Sequence, residues 1–143
     1  MTSSDGDKAV QQNMPQMPRL TAEQQAKSEE VCTLMGAGRW DDAYQAILSV
    51  EKQLASPYGA QFWVYKGIIL RQQGEEDRAR NAFRTAQSVV AYSPPEDAEL
   101  QLILARACEE LQLADKSREA YNAVLAQDPN HEAAQAGLQR LSK

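Results

Sequence analysis

The sequence predicts an all-α fold, a solenoid in which antiparallel helix pairs stack one after another. The first observation is a repeat, because Gly74–Ala79 aligns with Gly38–Ala43 upstream and with Gln112–Ser117 downstream, at offsets of 36 and 38 residues. The second is composition. From residue 20 onwards the helix formers Ala, Gln, Glu, Leu and Arg dominate, and runs of β-branched residues are almost absent. A repeat length in the mid-thirties is typical of stacked helix pairs.

Seven helices are predicted between turns that are rich in Gly or Pro. The first starts after the capping pair Thr21 and Gln24 and runs to about residue 35. The fifth begins at the Pro-Pro-Glu-Asp stretch of 94–97, since proline suits a first helical turn, and ends near residue 111. The second, third, fourth, sixth and seventh cover about 40–54, 60–73, 76–92, 115–127 and 131–142. We interpret the seventh as a polar-faced cap on the stack.

Composition and charge exclude several classes of function. The 143 residues carry a net charge of −5 and a pI of about 4.9, which argues against a nucleic-acid-binding surface, because such surfaces are usually basic. No stretch approaches the ~20 apolar residues of a membrane span. The first ten residues lack the basic and apolar regions of a signal peptide. We therefore expect an acidic cytoplasmic protein with no membrane span and no nucleic-acid partner.

The sequence has few residues that could carry out catalysis. Its single histidine, His131, follows Asp-Pro-Asn at a helix start, where a surface role is expected. One histidine supports neither a His-based metal site nor a nucleophile–histidine pair. Cys32 and Cys108 fall in different repeats, so we interpret them as reduced thiols. The sequence thus predicts no enzyme activity, no metal and no cofactor.

The spacing of small and bulky residues resembles the tetratricopeptide repeat. The middle repeat carries this pattern most fully, through Ala60, Trp63, Gly67, Leu70, Gly74, Ala79, Phe83 and Ala86. The last repeat matches through Ala98, Ala105, Cys108, Tyr121, Val124 and Pro129, with Gln112 and Ser117 in place of Gly and Ala. The first repeat matches in its second half, through Gly38, Trp40, Ala43 and Ile47.

The resemblance implies a right-handed superhelix of about three repeats. We expect a flexible tail over 1–20 and a repeat domain over 21–143, with repeats at about 24–59, 60–97 and 98–131 and a capping helix at 131–142. Gly67 is expected to let the helices of its pair approach closely, and Gly74 to form the turn between them.

The resemblance also places the first helix of each pair on a concave face. The residues expected to bind a partner there are Gln61, Val64, Tyr65, Ile68, Arg71, Leu102, Ile103 and Arg106. Apolar side chains with two arginines suit a short peptide that has apolar anchors and one acidic group. Burial of Ile68, Leu102 and Ile103 between adjacent helices is the alternative for those positions.

Two classes of function follow from the resemblance. The first is an adaptor or chaperone that binds a peptide or protein segment, with the chaperones of type III secretion translocators as a specific version. The relatives that grip the C-terminal carboxylates of heat-shock chaperones are a poor match, because none of their clamp residues occurs at Ser28, Cys32, Tyr65, Glu99 and Ile103. The alternative is a self-associating subunit, such as a homodimer, that uses open repeat ends or Trp40 and Tyr44.

Overall fold

The structure, a computed structural model, describes residues 18–143. Most of the predicted tail, residues 1–17, lies outside the described residues. Seven α-helices and no strand occur between residues 18 and 143: α1 (Ala22–Gly36), α2 (Trp40–Glu51), α3 (Ala60–Gln72), α4 (Glu76–Val90), α5 (Ala98–Glu110), α6 (Ala114–Gln127) and α7 (Glu132–Leu141). One short 3-10 turn, Pro57–Gly59, precedes α3. The predicted all-α architecture is confirmed.

The helix starts follow from local capping. The Thr21 hydroxyl accepts a hydrogen bond from the Gln24 backbone N–H at 3.1 Å, and the Gln24 side chain accepts one from the Thr21 N–H at 3.0 Å. This is the predicted capping box, which satisfies two N–H groups that the helix itself leaves unpaired. The fifth helix differs from the prediction, because it begins at Ala98 with Asp97 as its cap. Pro94 and Pro95 lie in the turn before it.

The turns within the three helix pairs share one backbone conformation. Gly38 and Gly74 have φ values of +74° and +80°, and Gln112 occupies the equivalent turn with φ +62°. Glycine adopts this left-handed region without the Cβ clash that other residues suffer. The turn in which glycine is absent therefore keeps the conformation of the two glycine turns.

Packing places the first helices of the pairs in one layer. Each helix packs against the next along the chain, and further contacts join α1 to α3, α3 to α5 and α5 to α7. Contacts between the second helices, α2 with α4 and α4 with α6, are weaker. Because the first helices lie closer together, their layer is the inner, concave side of a curved stack.

Three apolar clusters fill the spaces between successive pairs. Val31, Ile47 and Phe62 lie in the cluster shared by α1, α2 and α3. A second cluster joins α3, α4 and α5, and a third joins α5, α6 and α7. Leu20 is half-buried and packs against the first two clusters, so the packed domain extends to a residue that was predicted to belong to the tail.

Candidate functional site

The concave face contains two adjoining cavities. The first, which we call the N-terminal cavity, has a volume of about 410 Å³ and lies where the chain enters α1. The second, the central cavity, has a volume of about 330 Å³ and lies further along α1, α3 and α5. Three residues line both cavities: Val64, Tyr65 and Arg106. The two cavities therefore form one continuous groove, which we call the concave groove.

Most of the predicted binding residues come together in this groove. Gln61, Leu102 and Ile103 line the N-terminal cavity, and Ile68 lines the central cavity. Their exposure differs, because Val64 is 2% exposed and Ile103 is 7% exposed, whereas Leu102 and Ile68 are half-buried. Burial, which was the alternative interpretation for Ile68, Leu102 and Ile103, therefore applies to Ile103, and Val64 is buried with it. Leu102, Ile68 and Tyr65 present apolar surface to the groove.

Tyr65 is fixed at the junction of the two cavities by a polar cluster. Its hydroxyl donates to the Gln61 Oε1 at 3.3 Å, and the buried Ser28 Oγ donates to the same oxygen at 3.4 Å. Burial, followed by the neighbouring Cys32 thiol, raises the pKa of Tyr65 to about 12. The phenol therefore stays protonated at neutral pH and keeps its place as a hydrogen-bond donor.

Arg71 does not line either cavity. Its guanidinium forms ion pairs with Glu76, at 2.9 Å, and with Glu110, and it stacks over the Phe83 ring at 4.9 Å from the centroid. The hydrogen bonds that Arg71 donates to the Glu76 carboxylate are the main cause of its raised pKa. Arg71 therefore ties α3 to α4 and α5, and its charge is already balanced by two carboxylates.

Arg106 is the cation that the groove leaves available. It is exposed, it lines both cavities, and no hydrogen bond or ion pair to it is found among residues 18–143. The other arginines that line the cavities are paired. Arg19 contacts Glu99 at 3.1 Å, and Arg140 contacts Glu109 at 2.7 Å. The concave groove thus combines apolar surface with one unpaired positive charge at its centre.

The residues of the N-terminal cavity that sequence reasoning missed include Arg19, Leu20 and Tyr58. Tyr58 lies in the 3-10 turn, is 5% exposed, and donates from its hydroxyl to Asp97 at 2.5 Å. Burial raises the pKa of Tyr58, and the Asp97 hydrogen bond adds to this. An aromatic residue between Pro57 and Gly59 was the available signal, because a large ring in a turn needs a surface to pack against.

Other kinds of site find little support in the described part of the chain. Within residues 18–143, no group of three or more His, Cys, Asp or Glu residues is placed to hold a metal ion. Over the same range, no helix is both long enough and apolar enough to cross a membrane. His131 caps α7, where its Nδ1 accepts a hydrogen bond from the Ala134 N–H at 3.2 Å. Cys32 and Cys108 are both free thiols.

A model of the tetratricopeptide repeat family matches residues 29–88 and 77–132, which is more than half of the chain. The protein belongs to this family. The resemblance that the repeat spacing predicted is therefore confirmed. The two matched segments overlap over residues 77–88, which lie in the second helix of the middle repeat.

Solved structures share the tetratricopeptide repeat fold. One is the first tetratricopeptide repeat domain of Spaghetti (RPAP3) bound to the HSP90 peptide SRMEEVD, with 17% identity and a TM-score of 0.51 over 82% of this chain and 88% of that one. Another is the Arabidopsis OM64 tetratricopeptide repeat domain, with 14% identity and a TM-score of 0.51 over 82% of this chain and 93% of that one. No curated protein sequence matches this chain. At these identities the structural likeness shows the fold alone.

Proposed function

We propose that this tetratricopeptide repeat domain is a non-catalytic adaptor that binds a short segment of a partner protein in the concave groove. The observation that carries the proposal is the junction of the two cavities, where half-buried Tyr65 lies beside the unpaired Arg106. The volume of the N-terminal cavity, about 410 Å³, lies within the range of protein sites that bury apolar ligand groups. Leu102 and Ile68 supply apolar surface on the two sides of this junction.

The groove favours a particular partner chemistry. A segment of about 6–15 residues, with apolar side chains on both sides of one carboxylate, would place an anchor in each cavity and the carboxylate at Arg106. Burying the anchors supplies most of the binding free energy. The charge pair fixes the register of the segment and contributes less, because Arg106 is exposed to solvent.

The solved neighbour supports the general mode of binding. The first tetratricopeptide repeat domain of Spaghetti (RPAP3) is bound to a peptide, SRMEEVD, that contains acidic and apolar residues. The clamp that such relatives use for a terminal carboxylate is not retained here, since Ser28, Tyr65 and Glu99 stand at three of its positions. We therefore propose an internal segment with one acidic residue as the ligand in place of a chaperone C-terminus.

Selection from a displayed peptide library, with the 143-residue chain as bait, tests this proposal. A variant with Tyr65→Ala and Leu102→Ser serves as counter-bait, after circular dichroism has shown that it keeps its helix content. We expect the enriched peptides to share two apolar positions around an acidic one and to be lost on the counter-bait. Enrichment of the same peptides on both baits would contradict binding in the concave groove.

A narrower version of the proposal is a chaperone for type III secretion translocators. Its support is the small acidic chain and the segment that precedes three repeats. Co-expression with an apolar translocator protein tests it. The chaperone should keep the translocator in the soluble fraction, and a chain with Tyr65→Ala should do so less well.

Self-association is the second candidate function. Trp40 and Tyr44, which were predicted to serve it, pack instead against the first apolar cluster, and the Tyr44 hydroxyl accepts a hydrogen bond from Arg78 at 2.9 Å. The observation that favours self-association is Tyr92, which is 99% exposed and lines an outer cavity of about 380 Å³. Light scattering after size exclusion should show a dimer that Tyr92→Ser converts to a monomer. A monomer at all concentrations would exclude this candidate.

A further inference from the structure

The chain enters the repeat domain across the rim of the N-terminal cavity. Arg19 and Leu20 line this cavity together with the first residues of α1. The Arg19 guanidinium lies 4.2 Å from the centroid of the Tyr58 ring and 3.1 Å from Glu99 of α5, so the chain passes from the α5 side of the groove to the α1 side. The described chain therefore joins the repeat domain at the mouth of the concave groove, where Arg19 and Leu20 lie.

We propose that the segment 9–18 is an internal ligand of the concave groove, which docks through Met14 and Met17 and competes with the partner segment. The inference rests on the proposed function in one respect, namely that the groove accepts an extended apolar segment. Its first support is composition. The ten residues Ala-Val-Gln-Gln-Asn-Met-Pro-Gln-Met-Pro carry no charge, so docking them desolvates no ion.

The two methionines suit the apolar surface of the groove. Methionine is unbranched and adapts to irregular apolar surfaces such as the one formed by Leu102 and Tyr65. Both Met14 and Met17 are followed by proline, and a residue before proline favours extended backbone. Proline also reduces the chain entropy that is lost when a segment becomes ordered.

The stretch from Met14 to Pro18, when extended, is nearly as long as the distance from the groove mouth to the central cavity. Along α1, Thr21 and Cys32 are about 16 Å apart, at a rise of 1.5 Å per residue. Cys32 lines the central cavity, so this distance runs from the groove mouth into the second cavity. Four extended residue steps, from Pro18 back to Met14, span at most about 13–14 Å. Met17 can therefore reach the N-terminal cavity and Met14 the junction at Tyr65.

Tethering makes even weak docking effective. A segment joined to its site by a short flexible connection has an effective concentration in the millimolar range. If the free segment would bind the groove with a dissociation constant in the same millimolar range, the tethered segment occupies the groove in a large fraction of molecules. A partner segment must then displace the chain's own residues. Its apparent affinity falls in proportion to the fraction of molecules in which the groove is free.

Nitroxide labelling of the full chain tests the docking without any partner. The label is attached at Gln12→Cys in a chain that also carries Cys32→Ser, while Cys108 is buried and stays unlabelled. We expect the label to broaden the methyl resonances of Leu102 and Ile103 far more than those of Leu48 on α2. The matched control adds Met14→Ser and Met17→Ser, which keep the same tether and the same label.

The expected result is that the two serine substitutions reduce broadening at Leu102 to the level at Leu48. Equal broadening at Leu102 in both labelled chains would overturn the proposal, because the broadening would then come from tethering of the label alone. A peptide selected from the library should bind the unlabelled Met14→Ser, Met17→Ser chain about two- to tenfold more tightly than the parent. If the library yields no binder, the proposed function fails, and the labelling result still decides the docking of the internal segment.

Discussion

The ring of Phe83 lies so close to Gly67 that a Cβ at residue 67 would come within 2.6 Å of the Phe83 Cε1 atom. Both residues are fully enclosed, in α3 and α4 of the middle pair. The contact sets how closely these two helices pack. A similar contact recurs between Gly137 of α7 and the ring of Tyr121 in α6. Since α3 also carries Val64, Tyr65 and Ile68, this packing fixes the floor of the concave groove.

Replacing Gly67 with alanine should destabilise the domain by about 1–3 kcal/mol, because the added methyl group must displace a buried ring. Urea unfolding followed by circular dichroism measures the change. Gly36→Ala is the matched control, since a Cβ at residue 36 meets no atom within 4 Å. The control should change the unfolding free energy by no more than about 0.5 kcal/mol. Equal effects of the two substitutions would show that the Gly67 contact is not a close one.

Replacing Gln112 with glycine should stabilise the domain by about 0.5–1 kcal/mol. Gln112 has φ +62°, a conformation that costs a residue with a Cβ roughly 1–2 kcal/mol. Glycine avoids this strain, but its greater conformational freedom in the unfolded chain offsets part of the gain in stability. The reverse change, Gly74→Ala at φ +80°, should destabilise the domain by a similar free energy. The two free energies of unfolding, measured in urea, should have opposite signs. A loss of stability in the Gln112→Gly chain would contradict this account of the turn.

The stability of the C-terminal end should depend on the ionisation of Glu109. Arg140 donates to this carboxylate at 2.7 and 3.0 Å, and the Tyr121 hydroxyl donates at 2.6 Å. The Arg140 hydrogen bond holds the pKa of Glu109 below its ordinary value, although burial opposes it. A depressed folded-state pKa stabilises the fold at pH values above the unfolded pKa of about 4.3, and this contribution is lost as the pH falls through the folded pKa.

We therefore expect Glu109→Gln to lower the unfolding free energy at pH 7 and to have a smaller effect at about pH 3. Urea unfolding at a series of pH values measures the difference between the variant and the parent. Glu119→Gln is the control, because this exposed carboxylate forms no ion pair among residues 18–143. A Glu109→Gln effect of the same size at both pH values would mean that the charge of Glu109 contributes nothing.

The sequence predicted the helices closely because capping and turn signals are local. The α1 start at Thr21 and the turns at Gly38 and Gly74 follow from neighbouring residues alone, whereas the left-handed conformation of Gln112 was not predicted. The ends of α2 and α4 were predicted a few residues too late, at 54 and 92, where the structure ends them at Glu51 and Val90. Helix ends depend on the following loop, and the 3-10 turn after α2 was not predicted.

The residues that line the concave groove were predicted only where their position on one helix face determines that they do so. Tyr65 and Leu102 line the groove because they lie on the inner faces of α3 and α5. The pairing of Arg71 with Glu110 joins residues 39 positions apart, so it depends on how the pairs stack. For the same reason, no sequence signal indicated that Leu20 would line the N-terminal cavity.

Binding of a library-selected peptide should depend on Tyr65 more than on any charge. Tyr65→Ala should cost about 1–3 kcal/mol of binding free energy, as expected for a half-buried aromatic anchor at the centre of a contact. Arg106→Ala should cost less and should make the remaining affinity less sensitive to salt. Arg71→Ala should leave affinity nearly unchanged, because Arg71 is paired with Glu76 and Glu110. Isothermal titration measures all three, with the outer-face variant Arg84→Ala as control.

The position of a bound peptide in a crystal structure of the complex tests the central claim most directly. The proposed function predicts that the peptide lies along the inner faces of α1, α3 and α5, with one apolar side chain against Leu102 and one carboxylate within hydrogen-bond distance of Arg106. A peptide bound instead to the outer faces of α2, α4 and α6, with the concave groove empty, would contradict it.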